Sequence, residues 1–381
     1  MTQETEIVII GGGIAGCIAA LSLADTFKVT IIDKLEKPME RVGESLAPAA
    51  QRILKQLGLL STNEESIENG LYINNIGMQS YWGSDAVQFV DHLKNPDGCS
   101  LSLDRQQFES YLRSCVVKKG ITCFWGYRFF NASLEKSNWN LTIKNDDQKN
   151  RKEYKITSKL VIDATGRGSH FSRSIGIKRL TFDQLISCWI SLPNTATNTM
   201  STIVSDALGW WYSAVTPNNK RVLSFQTDPD LVSRTTFKHK TDFLKLVASN
   251  SKMQPLITNV SINDINFHGT VSANSTRLLQ PSGKQWIALG DAAISFDPLS
   301  SQGMFNAMAT AMQVTDLLIA NNFIHQYNTE KMAQFSYLYS QQIEAIWQHY
   351  LKHKSLFYTT EKRWNKHPFW QRRQEEVTVK V

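Results

Sequence analysis

The residues best suited to chemistry in this 381-residue chain fall in two short runs far apart in sequence. Gly11-Gly12-Gly13-Ile14-Ala15-Gly16 has the spacing G-x-G-x-x-G. Gly11 allows a tight turn, Gly13 lets backbone approach a pyrophosphate, and Gly16 lets a helix pack on a strand. Ile14 and Ala15 open that helix, whose first N–H groups carry partial positive charge suited to phosphate. Asp33 follows about 20 residues past the central glycine, where an acid holds a ribose hydroxyl, and Lys34 stands beside it. The second run is Gly290-Asp291-Ala292-Ala293 with Pro298-Leu299-Ser300-Ser301-Gln302-Gly303. The first run points to a dinucleotide, and neither run names a compound to be oxidised.

These residues need elements to hold them. Glu6–Ile10 is an apolar run ending at glycine and reads as a buried parallel strand. Gly16–Ala24 reads as a helix and Lys28–Ile32 as the next strand. The loop Arg41–Pro48, containing Glu44 and Ser45, leads into a helix over Ala49–Leu57 that Gly58 stops. Gln79–Trp82 and Val87–Val90 read as strands. Asp104 is an N-cap for a helix that carries Arg105 and runs to about Lys118. Asn138–Lys144 and Arg151–Thr157 alternate as hairpin strands around Asn145-Asp146-Asp147. Lys159–Ile162 reads as a separate buried strand leading to Asp163-Ala164-Thr165-Gly166.

Short alternating segments from about 180 to 275 suggest an antiparallel sheet, Gln285–Leu289 is a buried strand, and the chain is helical from Gly303. The expected class is α/β: a Rossmann-type nucleotide-binding domain with an inserted antiparallel β-sheet substrate domain and a helical C-terminus. Residues 1–75, 101–178 and 281–325 form the first unit, 76–100 and 179–280 the insert, and 326–381 a basic, aromatic helical end. The pocket is expected between the two units.

Composition narrows the class. The chain is 42% hydrophobic and 20% charged, as ordinary globular domains are. No apolar run is long enough to span a bilayer, and the first strand begins by residue 6, so a cytoplasmic location without a signal segment is expected. The five cysteines form no C-x-x-C pair, so reduced thiols are expected. His349 and His353 are four apart without a third ligand, and no metal site is expected. The formal charge of +7 concentrates in Lys352–Lys366 and Arg372-Arg373, which suits an acidic partner or a solvated helix face. No nucleic-acid motif is present.

Taken together, Gly11–Gly16, Asp163–Gly166 and Gly290–Gly303 resemble the FAD-dependent monooxygenases of the para-hydroxybenzoate hydroxylase type and the related flavin-dependent halogenases. The resemblance covers most of the chain. It implies FAD as the cofactor, with Asp291 on the ribityl chain and Pro298 beside the isoalloxazine. It implies that the helix N-terminus at Gly303 and Met304 faces the flavin N1–O2 edge. It places Arg41 and Arg105 at the FAD phosphates or adjacent groups, and Ser45, Asp163 and Gly166 in the cofactor site. A narrower resemblance is to the LodB/GoxB group. It rests on Gly209-Trp210-Trp211-Tyr212-Ser213-Ala214 and on the tail Tyr358…Glu361-Lys362-Arg363-Trp364…Pro368-Phe369-Trp370. Those flavoproteins mature amino-acid oxidases that carry cysteine tryptophylquinone. This resemblance implies a partner amino-acid oxidase precursor as substrate and hydroxylation of its tryptophan by a flavin C4a-hydroperoxide formed with molecular oxygen. Gly166-Arg167-Gly168-Ser169 lacks the third glycine of a second fingerprint, so NAD(P)H is expected to act as a transient reductant.

The halogenases differ from this chain at two places. They carry a lysine on a strand whose matching place here is about Asn74, and no lysine stands between Gly70 and Phe89. Their W-x-W-x-I-P motif is replaced by Trp210-Trp211-Tyr212-Ser213-Ala214-Val215. Trp82, Trp210, Trp211 and Tyr212 are the candidate substrate pocket, although aromatics also fill sheet cores. Glu44 and Pro298 are the candidate catalytic residues, and Glu44 can move a proton if burial raises its pKa. Trp347, Trp364 and Trp370, in the cationic tail Ile343–Arg373, suit interface anchors or a helix docked on its own domain. A free small aromatic substrate, halogenation and a non-catalytic FAD-bound chaperone remain open readings.

Overall fold

Four consecutive buried residues, Ile7–Ile10, require a strand covered on both faces, and β1 (Thr2–Ile10) is that strand. It runs parallel to β2 (Val29–Asp33) on one side and to a long strand, Glu153–Asp163, on the other. The computed structural model describes residues 2–60, 70–92, 95–145, 152–321 and 328–375. In chain order the remaining strands used below are β3 (Gly77–Tyr81), β4 (Gln88–Asp91), β5 (Thr122–Trp125), β6 (Tyr127–Glu135) and β7 (Asn138–Asn145). The long strand is β8. Then come β9 (Ile186–Pro193), β10 (Ser201–Asp206), β11 (Gly209–Thr216), β12 (Lys220–Thr227), β13 (Asn266–Ser272), β14 (Ser282–Gly283) and β15 (Trp286–Ala288). The helices are α1 (Ile14–Leu23), α2 (Pro48–Gln56), α3 (Arg105–Lys118), α4 (His170–Ser174), α5 (Lys240–Ser249), α6 (Gly303–Ala320), α7 (Thr329–Thr360) and α8 (Pro368–Glu375).

The first sheet has the order β14-β15-β8-β1-β2-β5, with the hairpin β6–β7 joined to β8 through β7. Its central pairings are parallel, and α1, α3 and α6 pack around it, so the expected α/β class holds. Two expected strands, Arg151–Thr157 and Lys159–Ile162, are one. Ser158, the residue between the two expected ranges, is buried in mid-strand, where its hydroxyl donates to Glu6 and Leu160 carbonyls. The expected turn residues Asp146 and Asp147, and Arg151, lie outside the described residues.

The second sheet has seven strands in the order β13-β9-β12-β11-β10-β3-β4. Its pairings are antiparallel except β10 with β3, so the chain leaves the first unit twice to build one sheet. The stretch read as short alternating segments also contains the helix α5, whose Phe243 and Val247 cover one sheet face with Trp211 and Phe225.

The tail docks on the chain itself. Trp347 of α7 packs in the main core, and Trp370 of α8 lies against Trp82 at 5.2 Å between ring centroids. Its indole N–H donates to the Asp206 carbonyl at 2.8 Å. Arg373 pairs with Asp228 at 2.7 Å and Arg372 with Asp230 at 2.6 Å. The tail residues proposed as partner anchors are thus largely taken up within the chain: Trp347 and Trp370 are buried and Trp364 is partly buried. Among the described residues no helix is long and apolar enough to cross a membrane, and no group of three His, Cys, Asp or Glu side chains is placed to hold a metal ion.

Candidate functional site

The glycine turn sits where β1 meets α1. Gly11 has φ +112°, and a Cβ there would lie 2.2 Å from the Ala164 carbonyl oxygen, so only glycine fits. Gly16 serves the same packing and does not border the cavity, since its Cβ would fall 1.8 Å from the Gly11 carbonyl. Gly13 is different: it borders the cavity, and a Cβ on it would meet nothing within 4 Å. Asp33 at the end of β2 accepts the Gly12 N–H at 2.6 Å and the Leu35 N–H at 2.7 Å. A residue not anticipated from sequence, Arg113 of α3, fixes this corner. Its guanidinium lies 3.1 Å from Asp33, donates to the Gly12 and Leu35 carbonyls, and stacks on Trp125.

A second corner is held by two further arginines. Arg179 donates to the Asp291 carbonyl at 2.8 Å and the Ala292 carbonyl at 2.9 Å, and burial pulls its guanidinium down to about 10. Arg167 donates to the Phe296 carbonyl at 2.7 Å and stands 3.5 Å from the Asp291 carboxylate. Asp163 departs from the expected cofactor role. It is fully buried, does not border the cavity, and accepts four bonds from the N–H and hydroxyl groups of Thr165 and Ser172. It therefore shapes the turn that presents Gly166. Asp297 caps the turn at Pro298 by accepting the Leu299 N–H at 2.9 Å. Its other oxygen accepts the Tyr358 hydroxyl at 2.8 Å, and burial raises its carboxyl above the ordinary range.

The loop before α2 closes a third side. Arg105 donates to the Gly43 carbonyl at 2.8 Å and to Glu109 at 2.6 Å, while Arg41 is 3.9 Å from Glu109. Glu44 is 1% exposed. One carboxyl oxygen accepts the Gly43 N–H at 3.1 Å, and the other has no well-formed hydrogen bond. Burial pushes this carboxyl above its ordinary value. Tyr212 stands in electrostatic contact with it, and burial, then the Glu44 charge, push the phenol well above its usual range.

Strand register explains the remaining wall. Opposed residues on neighbouring strands share a face. Ile203 of β10 opposes Tyr212 of β11, Tyr212 opposes Ser224 of β12, and Ser224 opposes Trp189 of β9. On the outer side Ile203 opposes Ser80 of β3, which opposes Gln88 of β4. All six border the cavity, as does Trp210, two residues from Tyr212. One face of the sheet is thus the cavity wall. Trp211 belongs to the other face. It is 0% exposed, lies against Phe225 with ring centroids 4.4 Å apart, and donates its indole N–H to Asp206. Its assignment to the substrate pocket is corrected by the period-two alternation of a strand. Trp82 stays at the cavity, edge-on to Trp210 at 6.3 Å. Asn74 does not border the cavity, and among the described lining residues the only lysine is Lys34, beside Asp33.

The cavity has a volume of about 1240 Å³. That exceeds the ~300–1,000 Å³ of usual small-molecule sites and leaves space for both a cofactor and a substrate side chain. Besides the residues already placed, Ile14, Ala15, Lys34, Ser45, Gly166, Asp291, Pro298, Gly303 and Met304 border it. FAD fits this lining. Gly13 and Gly303 both face open space, and the N-termini of α1 and α6 have neither a side-chain cap nor an acidic residue in the first turn. Uncapped N–H groups beside a cavity favour phosphate and a negatively charged ring edge.

The fold and site define an FAD-dependent oxidoreductase. The chain belongs to the FAD binding domain family, whose model matches residues 4–322. It is 27% identical over 375 residues, 97% of each chain, to a putative FAD-dependent oxidoreductase, LodB, of Marinomonas mediterranea. Two solved structures share the fold. One is the myxobacterial chondrochloren halogenase CndH, with a TM-score of 0.83, 17% identity and coverage of 99% of this chain and 88% of that one. The other is the peptidyl tryptophan dihydroxylase QhpG, essential for tryptophylquinone cofactor biogenesis, with a TM-score of 0.77, 21% identity and coverage of 97% and 79%. The protein thus shares its fold with a halogenase and with a peptidyl tryptophan dihydroxylase.

Proposed function

We propose that this protein is an FAD-dependent monooxygenase that hydroxylates a tryptophan side chain of a partner amino-acid oxidase during cysteine tryptophylquinone biogenesis. One observation carries the reading. A single cavity runs from the glycine turn and the N-terminus of α6 to a sheet face bearing Trp210 and Tyr212, with Trp82 beside them and no lysine on that wall. The likeness to LodB and to QhpG supports the kind of substrate. The absence of lysine from the sheet wall disfavours halogenation, the second use of this fold.

Bound FAD, once reduced by NAD(P)H, supplies activation of molecular oxygen. The chain's own residues do the rest. The N–H groups at Gly13 and the start of α1 would hold the pyrophosphate, Asp33, fixed at the cavity edge by Arg113, would hold the ribose, and Asp291 would meet the ribityl chain. Pro298, Gly303 and Met304 would lie beside the flavin ring, where the helix N-terminus would favour anionic character. Trp82, Trp210 and Tyr212 hold an indole by ring contacts and keep water from it. After oxygen joins the ring, a ring proton must leave, and the free Glu44 oxygen, its carboxyl raised by burial, takes it. The seven-stranded sheet serves as the substrate unit and the parallel sheet as the cofactor unit.

The test is oxygen uptake by the FAD-loaded chain with NADH or NADPH, with and without an unmodified amino-acid oxidase precursor of the tryptophylquinone type. Faster uptake matched by oxygenated tryptophan in the precursor supports the reading. Uptake that the precursor leaves unchanged, with no modified tryptophan, contradicts it.

A further inference from the structure

Exposed apolar side chains gather where the sheet face opens outward. The strand β4 is the last strand of the seven-stranded sheet, and all four of its residues are exposed. Phe89 is 62% exposed and Val90 43%. Gln88 and Val90 border the cavity, and Leu356, Phe357 and Thr360 of α7 border it as well. Leu356 is 58% exposed. The two elements are tied together: Trp82 donates its indole N–H to the Phe357 carbonyl at 2.8 Å, and the Gly83 N–H donates to Glu361 at 2.7 Å. The cavity mouth therefore has one wall that is the sheet's last strand among the described residues and another that is an apolar helix face.

Backbone direction along β4 follows from one bond. The His92 N–H donates to the Ile76 carbonyl at 3.0 Å. In an antiparallel ladder hydrogen-bonded and non-bonded pairs alternate, and Val90 opposes Met78 while Phe89 opposes Gln79. Val90 and Gln88 thus direct their backbone groups to β3, and Phe89 directs its N–H and C=O to the open edge. An open edge of this kind is a template for an added strand.

We propose that an extended segment of the partner polypeptide adds to the sheet along β4, pairing its backbone with Phe89 and placing the tryptophan to be oxidised opposite Gln88 or Val90, on the cavity side. The proposal rests on the partner-protein reading above. A residue opposite Phe89 points away from the cavity, and its neighbours in the segment point into it, because side chains alternate. Leu356 and Phe357 cover the segment from the helix side. Lys352 and His353 are exposed on α7 one turn before Leu356, and residues three and four apart share a helix face. The Lys352 charge matches an acidic residue at the end of the segment. A free amino acid has no strand to add and gains none of these bonds.

The probe is the capped peptide Asp-Thr-Val-Trp-Val-Thr, together with the same peptide N-methylated at both valines. The protein is the FAD-loaded full chain, and its variant is Phe89→Pro. Proline removes the outward N–H and is tolerated on an edge strand where that N–H makes no ladder bond. Binding is read by fluorescence titration, by amide exchange in residues 88–91 and by peptide mass. The expected result is peptide binding with slowed exchange in 88–91. N-methylation and Phe89→Pro each weaken binding at least tenfold, while the variant keeps its flavin absorbance. Phe89→Leu, which retains the N–H, binds as wild type does. Absence of peptide binding to wild type, equal binding of the N-methylated peptide, or unchanged exchange in 88–91 overturns the proposal. Binding with the expected pattern but no oxygen gained by the tryptophan, in the presence of NADPH and oxygen, supports the docking edge and counts against the hydroxylation reading.

Discussion

Tyr358→Phe tests how the C-terminal helix controls the site. The Tyr358 hydroxyl accepts the Trp210 indole N–H at 3.2 Å and donates to Asp297 at 2.8 Å, so it links the cavity wall to the turn at Pro298. The side chain is fully buried, and phenylalanine keeps its ring contacts with Trp82 and Trp370. Only the two bonds are lost. A bond to a carboxylate contributes about 1.5–3 kcal/mol, and a buried donor left without an acceptor costs about 1–3 kcal/mol. The low ends together give about 2.5 kcal/mol. In a chain of this size a destabilisation of 1 kcal/mol lowers Tm by roughly 2 °C, so a fall of roughly 5 °C is expected. The assay is thermal unfolding of the FAD-loaded protein followed by far-UV circular dichroism and flavin fluorescence. The turn it releases borders the cavity, so flavin loss should precede loss of helix. A Tm within about 1 °C of wild type, with the two signals coincident, refutes the reasoning.

Trp211→Ala should destabilise the fold by about 3–5 kcal/mol through a cavity in the far sheet core, while Trp210→Phe, which keeps a ring on the cavity wall, should lower the urea midpoint less and slow tryptophan oxidation. Equal effects of the two on stability would contradict the face assignment. Asp291→Ala should weaken FAD retention at least tenfold, about 1.4 kcal/mol or more, measured by equilibrium dialysis. Arg113→Met should leave the half-buried Asp33 charge without its partner and cost about 3–5 kcal/mol, seen as a lower urea midpoint and faster FAD release. Glu44 has a folded pKa raised by burial above its ordinary 4.5. Its contribution to stability is therefore full below that value and is lost as pH rises through the raised one. Glu44→Gln should flatten this fall, so its stability relative to wild type should increase with pH, and it should slow substrate oxidation without altering flavin reduction.

Local chemistry made the cofactor half legible. Strand, glycine turn, helix, strand and acid follow one another within Glu6–Asp33, so their order in sequence is nearly their order in space. The supports of that half were not legible. Arg113, Arg167 and Arg179 act on backbone far away in the chain, and nothing in their neighbours marks them. Trp211 is hard to place because Gly209–Ala214 has the look of a motif; as a strand, its alternation separates Trp211 from Trp210 and Tyr212. The tail was ambiguous for a different reason. Aromatic and cationic residues suit an external partner and an internal acidic one equally, and the internal partners Asp206 and Asp228 lie well over a hundred residues earlier. Glu44 was placed in the right loop, but its burial depends on packing against the sheet face that carries Tyr212.

The account stands on oxygen reaching a partner tryptophan from this cavity. The most direct measurement is mass analysis of the co-expressed oxidase precursor after reaction under isotopically labelled dioxygen with the FAD-loaded chain and NADPH. The account predicts label on one tryptophan, dependent on the chain and strongly reduced by Trp210→Ala. A precursor that acquires no label, or label from water alone, contradicts it.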